Sequence, residues 1–292
     1  MFKINNFTNN DDIDIIAQKG PFQVIQYKRD LSVSPSTAVT AYFCDKMNIR
    51  KRQVICDLSA SQGIVCQSGA MQWTVGNVSA STGVKGAGDF LGKLVKSKVT
   101  GESAVKPEYV GDGLLVLEPT YRHIILLDTS SWNGKVVLDD GLFLACDASV
   151  KQKLVARSNV SSAVLGGEGL FNLALDGNGI AVLECRCPQE ELIEVTLEND
   201  ELKVDGSFAI AWSDSLKFTV ERSGKTLIGS AASGEGLVNV YRGTGKVLLA
   251  PIDKTIGDFS PSAPAPSAPA SAGSKAAGAL GSLLGGIADA LD

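Results

Sequence analysis

Between about residue 20 and residue 255 the apolar positions come in short runs, with rough alternation and no sustained helical period. "GIAVLE", "ELIEVTL", "LKFTV" and "KVVL" are rich in β-branched and aliphatic side chains, and Gly, Asn and Asp punctuate such runs. A pleated backbone turns successive side chains to opposite faces, so this pattern predicts short strands joined by tight connections.

The runs also repeat. "GDGLLVLEP" begins at Gly111, "GNGIAVLEC" at Gly177 and "GTGKVLLAP" at Gly243, each sixty-six residues after the last. The apolar runs before Asp140 and Asp205, and the Phe143/Phe208 pair, recur nearly in step. The spacing predicts an all-β domain built from three quasi-repeats of ~66 residues, none able to bury its face alone. The glycine pairs Gly111/Gly113, Gly177/Gly179 and Gly243/Gly245 read as hairpin turns, with Asn178-Gly179 and Asp112-Gly113 supplying the positive φ of a type I′ turn. They do not read as phosphate cradles: the third glycine of a dinucleotide fingerprint would fall at Val182, and a strand follows where a helix is needed. "SGKT" (223–226) likewise lacks the upstream glycine of a phosphate loop, because Thr219 stands there.

Candidate chemistry is sparse. The single histidine, His123, stands at a strand entrance with no nucleophile motif nearby. Cys185 and Cys187 share one face of an extended strand and read as small core thiols, since no Cys-x-x-Cys partner completes a metal site. Asp139-Asp140 and Glu190-Glu191 read as solvated turns. Glu102, Glu168 and Glu235 recur at equivalent repeat positions beside Gly or Ser. They either satisfy backbone N–H groups at each turn or form a ring that takes a ligand or a basic partner. No catalytic residue, metal or cofactor is expected. The net charge of −5 argues against nucleic acid as a partner. Six cysteines without a secretory leader predict a reduced, cytoplasmic protein. "GVKGAGDFLGKLVKSKV" (83–99) carries four lysines against Asp89, and reads as a solvated loop anchored by Phe90 or as a contact for an anionic membrane surface.

The succession "GAMQWTVGNV", "TGES", "GDGLLVLEP", "DDGLFLACDASV", "GGEGLFNLALDGNGIAVLE", "VDGSFAIAWSDSLKFTV" and "GEGLVNVYRGTGKVLLAP" resembles the altered-inheritance-of-mitochondria family over about residues 20–255. The resemblance implies a fold like that of the tryptophan RNA-binding attenuator protein, a double-stranded β-helix or β-prism, often in a homo-oligomer, a trimer among the options. Its eukaryotic members are associated with mitochondrial inner-membrane organisation. It supplies no catalytic residues, and a shared fold transmits neither tryptophan nor RNA binding.

Four segments follow: an N-terminal extension (1–20), the β-repeat domain (21–257), a Pro/Ala/Ser-rich disordered linker (258–274) and a short amphipathic helix (275–292). In that helix Leu280, Leu283, Leu284, Ile287 and Leu291 form one apolar stripe. Tethered so, it suits docking to a protein partner or to the periphery of a membrane. The expected function is therefore a non-enzymatic oligomeric scaffold that presents this helix, with a small-ligand-binding module as the alternative.

Overall fold

The computed structural model describes residues 2–82, 106–156, 171–222 and 237–252. The chain begins with β1 (Ile13–Lys19), β2 (Phe22–Tyr27), the helix α1 (Ala38–Lys46), β3 (Arg52–Asp57), β4 (Ile64–Cys66) and β5 (Met71–Ser81). It continues through β6 (Glu108–Leu117), β7 (His123–Asp128), β8 (Lys135–Leu138), β9 (Phe143–Asp147) and β10 (Lys151–Ala156). The last strands are β11 (Phe171–Asp176), β12 (Ile180–Cys185), β13 (Ile193–Asp205), β14 (Ala209–Ser213), β15 (Lys217–Arg222) and β16 (Leu237–Leu249). The protein is all-β apart from α1 and three single 3₁₀ turns among the described residues.

Hydrogen bonding sorts the strands into two sheets. The larger has nine strands in the order β1-β2-β3-β6-β4-β9-β12-β7, with β5 also on β6. The smaller has seven, β10-β11-β8-β14-β16-β13, with β15 also on β16. The larger sheet curls until its ends approach. Lys19 of β1 pairs with Asp128 of β7 at 3.5 Å, and a Cβ on Gly20 would lie 3.1 Å from Ile180. The result is a nearly closed barrel.

Alternation fails on several strands for a physical reason. β14 is buried at all five positions and β3 at its first five, because both faces are covered. The largest cluster joins the sheets through Val136, Leu138, Leu173, Leu175, Ala181 and Leu183. Each such leucine contributes about 2 kcal/mol by leaving water.

The structure corrects the turn reading of the glycine pairs. Gly111 and Gly113 lie inside β6, and Gly243 and Gly245 lie inside β16. Gly177 and Gly179 connect β11 to β12, which belong to different sheets and so form no hairpin. The positive φ falls on the first glycine of each pair, 133° at Gly111, 132° at Gly177 and 121° at Gly243, and not on Asn178. Backbone crowding accompanies it at two of the three: a Cβ at Gly111 would sit 2.0 Å from the Asn77 carbonyl oxygen and one at Gly177 2.3 Å from that of Ser149, whereas one at Gly243 meets nothing nearer than 3.8 Å. Gly111 and Gly177 let two chain segments touch where the chain bends.

Two further corrections concern the N-terminal part. Residues 1–20 are not a mere extension, because β1 pairs with β2 from Ile13↔Tyr27 to Lys19↔Phe22. Helix α1 was not anticipated, and it buries no residue.

Candidate functional site

Between β2 and β3 the chain leaves the larger sheet as the 28–51 excursion, which carries α1. Its base is clamped. The Tyr27 N–H donates to the Lys51 carbonyl at 2.9 Å, and Lys28 N–H to the Asp12 carbonyl at 2.8 Å. Arg50 Nη1 donates to the Lys28 carbonyl at 2.5 Å and to Asp45 Oδ1 at 2.6 Å. The clamp thus ties α1, which contains Asp45, to the strand ends.

Asp30 is the hub of this base. It accepts from the Tyr121 hydroxyl at 2.7 Å, the Ser32 N–H at 3.1 Å and Lys51 Nζ at 3.4 Å. Burial alone would raise its pKa, but the bonds from Tyr121 and Ser32 and the Lys51 charge outweigh it, so the carboxyl lies below its ordinary 3.8. Burial, then the bond to Asp30 and its charge, push the Tyr121 hydroxyl up to about 12. Tyr27 is fixed from below, its hydroxyl donating to Gln53 Oε1 at 2.8 Å. The buried Gln53 in turn donates to the Leu117 carbonyl at 2.7 Å and to Gln72 Oε1 at 2.6 Å. Lys51 Nζ stands 4.8 Å from the Tyr27 ring centroid. Tyr27, Asp30, Tyr42, Arg50, Lys51 and Tyr121 line a cleft of about 310 Å³.

Above the clamped base the surface is apolar. Met47 is 72% exposed, Leu31 and Val39 70% each, and Phe43 59%. With Tyr42 at 58% they concentrate in one segment the large side chains that a soluble fold normally covers. The charges beneath are matched: Lys28 with Asp14 at 3.1 Å, Arg29 with Asp12 at 2.6 Å, Arg50 with Asp45 and Lys51 with Asp30. What remains outward is hydrophobic apart from the exposed Lys46, whose Nζ stands 5.3 Å from the Tyr42 ring centroid. Sequence reasoning passed over this segment; Ser34, Pro35 and Thr37 ahead of "AVTAYF" are the helix-start signal that would have marked it.

The residues singled out from sequence fall elsewhere. Cys185 closes β12 while Cys187 lies beyond it, so they do not share one strand face. Both are buried, and the Cys187 N–H points at Cys185 Sγ at 3.4 Å. Burial raises both thiols, Cys187 to about 11 with help from the charges of Cys185 and Glu191. They border a cleft of about 190 Å³ with Asp140, Glu184 and Arg186. Asp139 is no solvated turn residue, being 2% exposed with its N–H on the Ile210 carbonyl at 2.9 Å. Glu190 and Glu191 do lie on a short 3₁₀ turn with no buried residue. His123 opens β7, and burial and then Arg52 lower its pKa. Among the described residues no three His, Cys, Asp or Glu side chains gather as a metal site, and no helix is long and apolar enough to cross a membrane. Glu102, Glu168 and Glu235, the basic stretch 83–99, "SGKT", the 258–274 linker and the stripe from Leu280 to Leu291 lie outside the described residues.

A family model described as mitochondrial biogenesis AIM24 matches residues 47–252. An uncharacterized protein of Streptococcus pyogenes serotype M6 is 31% identical over 201 residues, which cover 66% of this chain and 78% of that protein. The crystal structure of a Streptococcus pyogenes protein superposes with a TM-score of 0.52 at 26% identity, covering 70% of this chain and 89% of the other. The matched region begins at Met47, so most of the excursion, α1 included, precedes it.

Proposed function

Because the chain belongs to the mitochondrial biogenesis AIM24 family, we propose that it is a non-enzymatic, oligomeric β-scaffold whose exposed apolar surfaces engage a protein partner. One observation carries this reading: the exposed Leu31, Val39, Tyr42, Phe43 and Met47 on one segment whose base is tied by ion pairs. The ion pairs beneath these residues leave Lys46 as the one cation of α1, stacked on Tyr42, which favours a protein over an anionic lipid surface that would reward a row of cations. The buried, poorly ionised thiols support a non-enzymatic role. The apolar stripe of 275–292 belongs to the same proposal as a second, tethered contact.

The scaffold reads as a double-stranded β-helix like that of the tryptophan RNA-binding attenuator protein, built from three quasi-equivalent units. Three parallels support this. Gly111, Gly177 and Gly243 share a φ near 130°. β3 and β4 run antiparallel to β6 as β7 and β8 do to β12 and β11, and as β13 does to β16. Asp57 accepts from Ser59 N–H at the break between β3 and β4, and Asp128 from Ser130 N–H at the break between β7 and β8.

Native mass spectrometry of the full chain purified gently from its own cells tests the proposal, beside a Phe43→Glu/Met47→Glu variant and a 1–258 truncation. A partner mass on the full chain that either change removes, at an unchanged melting temperature, supports the scaffold. Absence of any partner mass from all three sinks it. A small constant mass on all three forms favours the alternative, a ligand-binding module, for which the 310 Å³ cleft beneath α1 is the specific observation. Tyr42→Ala should then reduce the ligand-induced rise in melting temperature.

A further inference from the structure

Six strands have a single partner among the described residues: β1, β5, β7, β10, β13 and β15. An open edge presents unpaired N–H and C=O groups, and proteins guard such edges with charge, proline or covering structure. Five of the six are guarded. β1 carries Asp14 and Lys19, β10 Lys151 and Lys153, and β15 Lys217 and Glu221. β13 carries six charged residues, from Glu194 to Asp205. β7 ends in Asp128, and β1 lies beside it.

β5 differs. Its eleven residues, MQWTVGNVSAS, include no charge and no proline, and none is buried. It pairs with β6 from Met71↔Leu117 to Ser81↔Glu108, with one register shift between Met71 and Trp73. Trp73 is braced by Phe7, ring centroids 5.4 Å apart. Gly76 is the middle residue of the strand, at φ 101°.

We infer that the outer edge of β5 is where two copies of this chain join, β5 against β5 in antiparallel register about a two-fold axis near Gly76. An antiparallel strand pair is self-complementary under a two-fold, so the assembly closes as a dimer rather than growing into a fibre. An uncharged strand suits its own copy, because the pairing brings no like charges face to face. The guarded edges of β10 and β13 would bring like charges face to face if they paired with themselves. This inference rests on the oligomeric scaffold reading and names the contact that makes it.

The test is molar mass by light scattering on the full chain at tens of micromolar, beside a Thr74→Lys/Ser79→Lys variant, since both positions are exposed. The expected result is a dimer for the natural chain and a monomer for the variant, with the same circular dichroism and melting temperature. A natural chain that is monomeric overturns the inference and the oligomeric reading together. A variant that keeps the natural mass overturns the inference alone and leaves the oligomer to another surface. Hydrogen exchange on the natural chain gives a check independent of the variant's folding. Amides of 71–81 should exchange faster on dilution to the monomer, and an unchanged rate there across a demonstrated change in mass overturns the β5 contact.

Discussion

The Tyr121 hydroxyl donates to Asp30 Oδ2 at 2.7 Å, tying the 28–51 excursion to the connection between β6 and β7. Asp30 also holds Lys51, so removing the phenol leaves a carboxylate that keeps one cation and one backbone N–H. Tyr121→Phe should therefore cost about 1 kcal/mol or less of global stability, because the pair is partly exposed. Its larger effect should be local, with faster hydrogen exchange across 28–51 than across β3. Equal acceleration in both segments would contradict the clamp.

The same pair sets two pH windows. Asp30 has a folded pKa below 3.8, so its contribution is full above 3.8 and is lost as pH falls through the lower folded value. Tyr121 has a folded pKa raised from 10.0 to about 12, so its contribution is full below 10 and lost as pH rises toward 12. Exchange protection of the excursion should be flat between these windows and fall in both. In Tyr121→Phe the alkaline loss should shrink to the part that Tyr27 contributes, since burial and the Asp30 charge raise its hydroxyl pKa too. The acid loss should become smaller, because Asp30 loses a bond that lowers its carboxyl pKa. An alkaline loss of undiminished size after the substitution would assign it to another group.

The bend glycines should rank by crowding. A Cβ at Gly111 would meet the Asn77 carbonyl oxygen at 2.0 Å, whereas one at Gly243 meets nothing nearer than 3.8 Å. Gly111→Ala should cost roughly 3 kcal/mol or more through displaced backbone, and Gly243→Ala about 1–2 kcal/mol of φ strain alone. Gly177→Ala belongs with Gly111→Ala, at 2.3 Å from Ser149 O. Urea denaturation of the three variants checks the order, and equal losses would show that φ rather than contact governs.

These glycines also show how far the sequence could be read. Their sixty-six-residue spacing marked positions that do share a backbone conformation, because a bent strand demands the same φ wherever it recurs. Which sheet each flanking strand joins was not legible. A hairpin turn and a sheet-to-sheet bend both call for Gly beside short apolar runs, and only long-range pairing separates β11–β12 from a hairpin. Buried strands such as β14 hid their own faces, since a run covered on both sides has no period. Asp139 looked like its half-buried neighbour Asp140, because burial does not change the letter. The excursion was missed because its exposed Val39, Phe43 and Met47 resemble core residues until the fold leaves them outside.

Gln53 gives a test of buried polarity. It is 2% exposed, accepts from Tyr27, and donates to Leu117 O and Gln72 Oε1, joining β3 to β5 and β6. Gln53→Leu keeps the bulk but strands a buried carbonyl and a hydroxyl, so about 1–3 kcal/mol should be lost. Tyr27→Phe removes one bond and should cost less, since Gln53 keeps its other two partners. A Gln53→Leu chain as stable as the natural one would show that water replaces the amide.

The thiols test the non-enzymatic reading most directly. Cys56, Cys66, Cys146, Cys185 and Cys187 are buried, and Cys44 alone of the six is half-exposed. Burial pushes Cys66 and Cys146 up to about 12 and Cys187 to about 11, and raises Cys56 and Cys185 as well. The attacking species is the thiolate, which these five hardly form at neutral pH. Ellman's reagent should therefore label one thiol quickly in the native protein and the other five only after denaturation, and Cys44→Ser should abolish the fast phase. Rapid native labelling of Cys185 or Cys187 would mean that the 190 Å³ cleft beside them admits reagents to a nucleophile, and cysteine chemistry would return as a function for this fold.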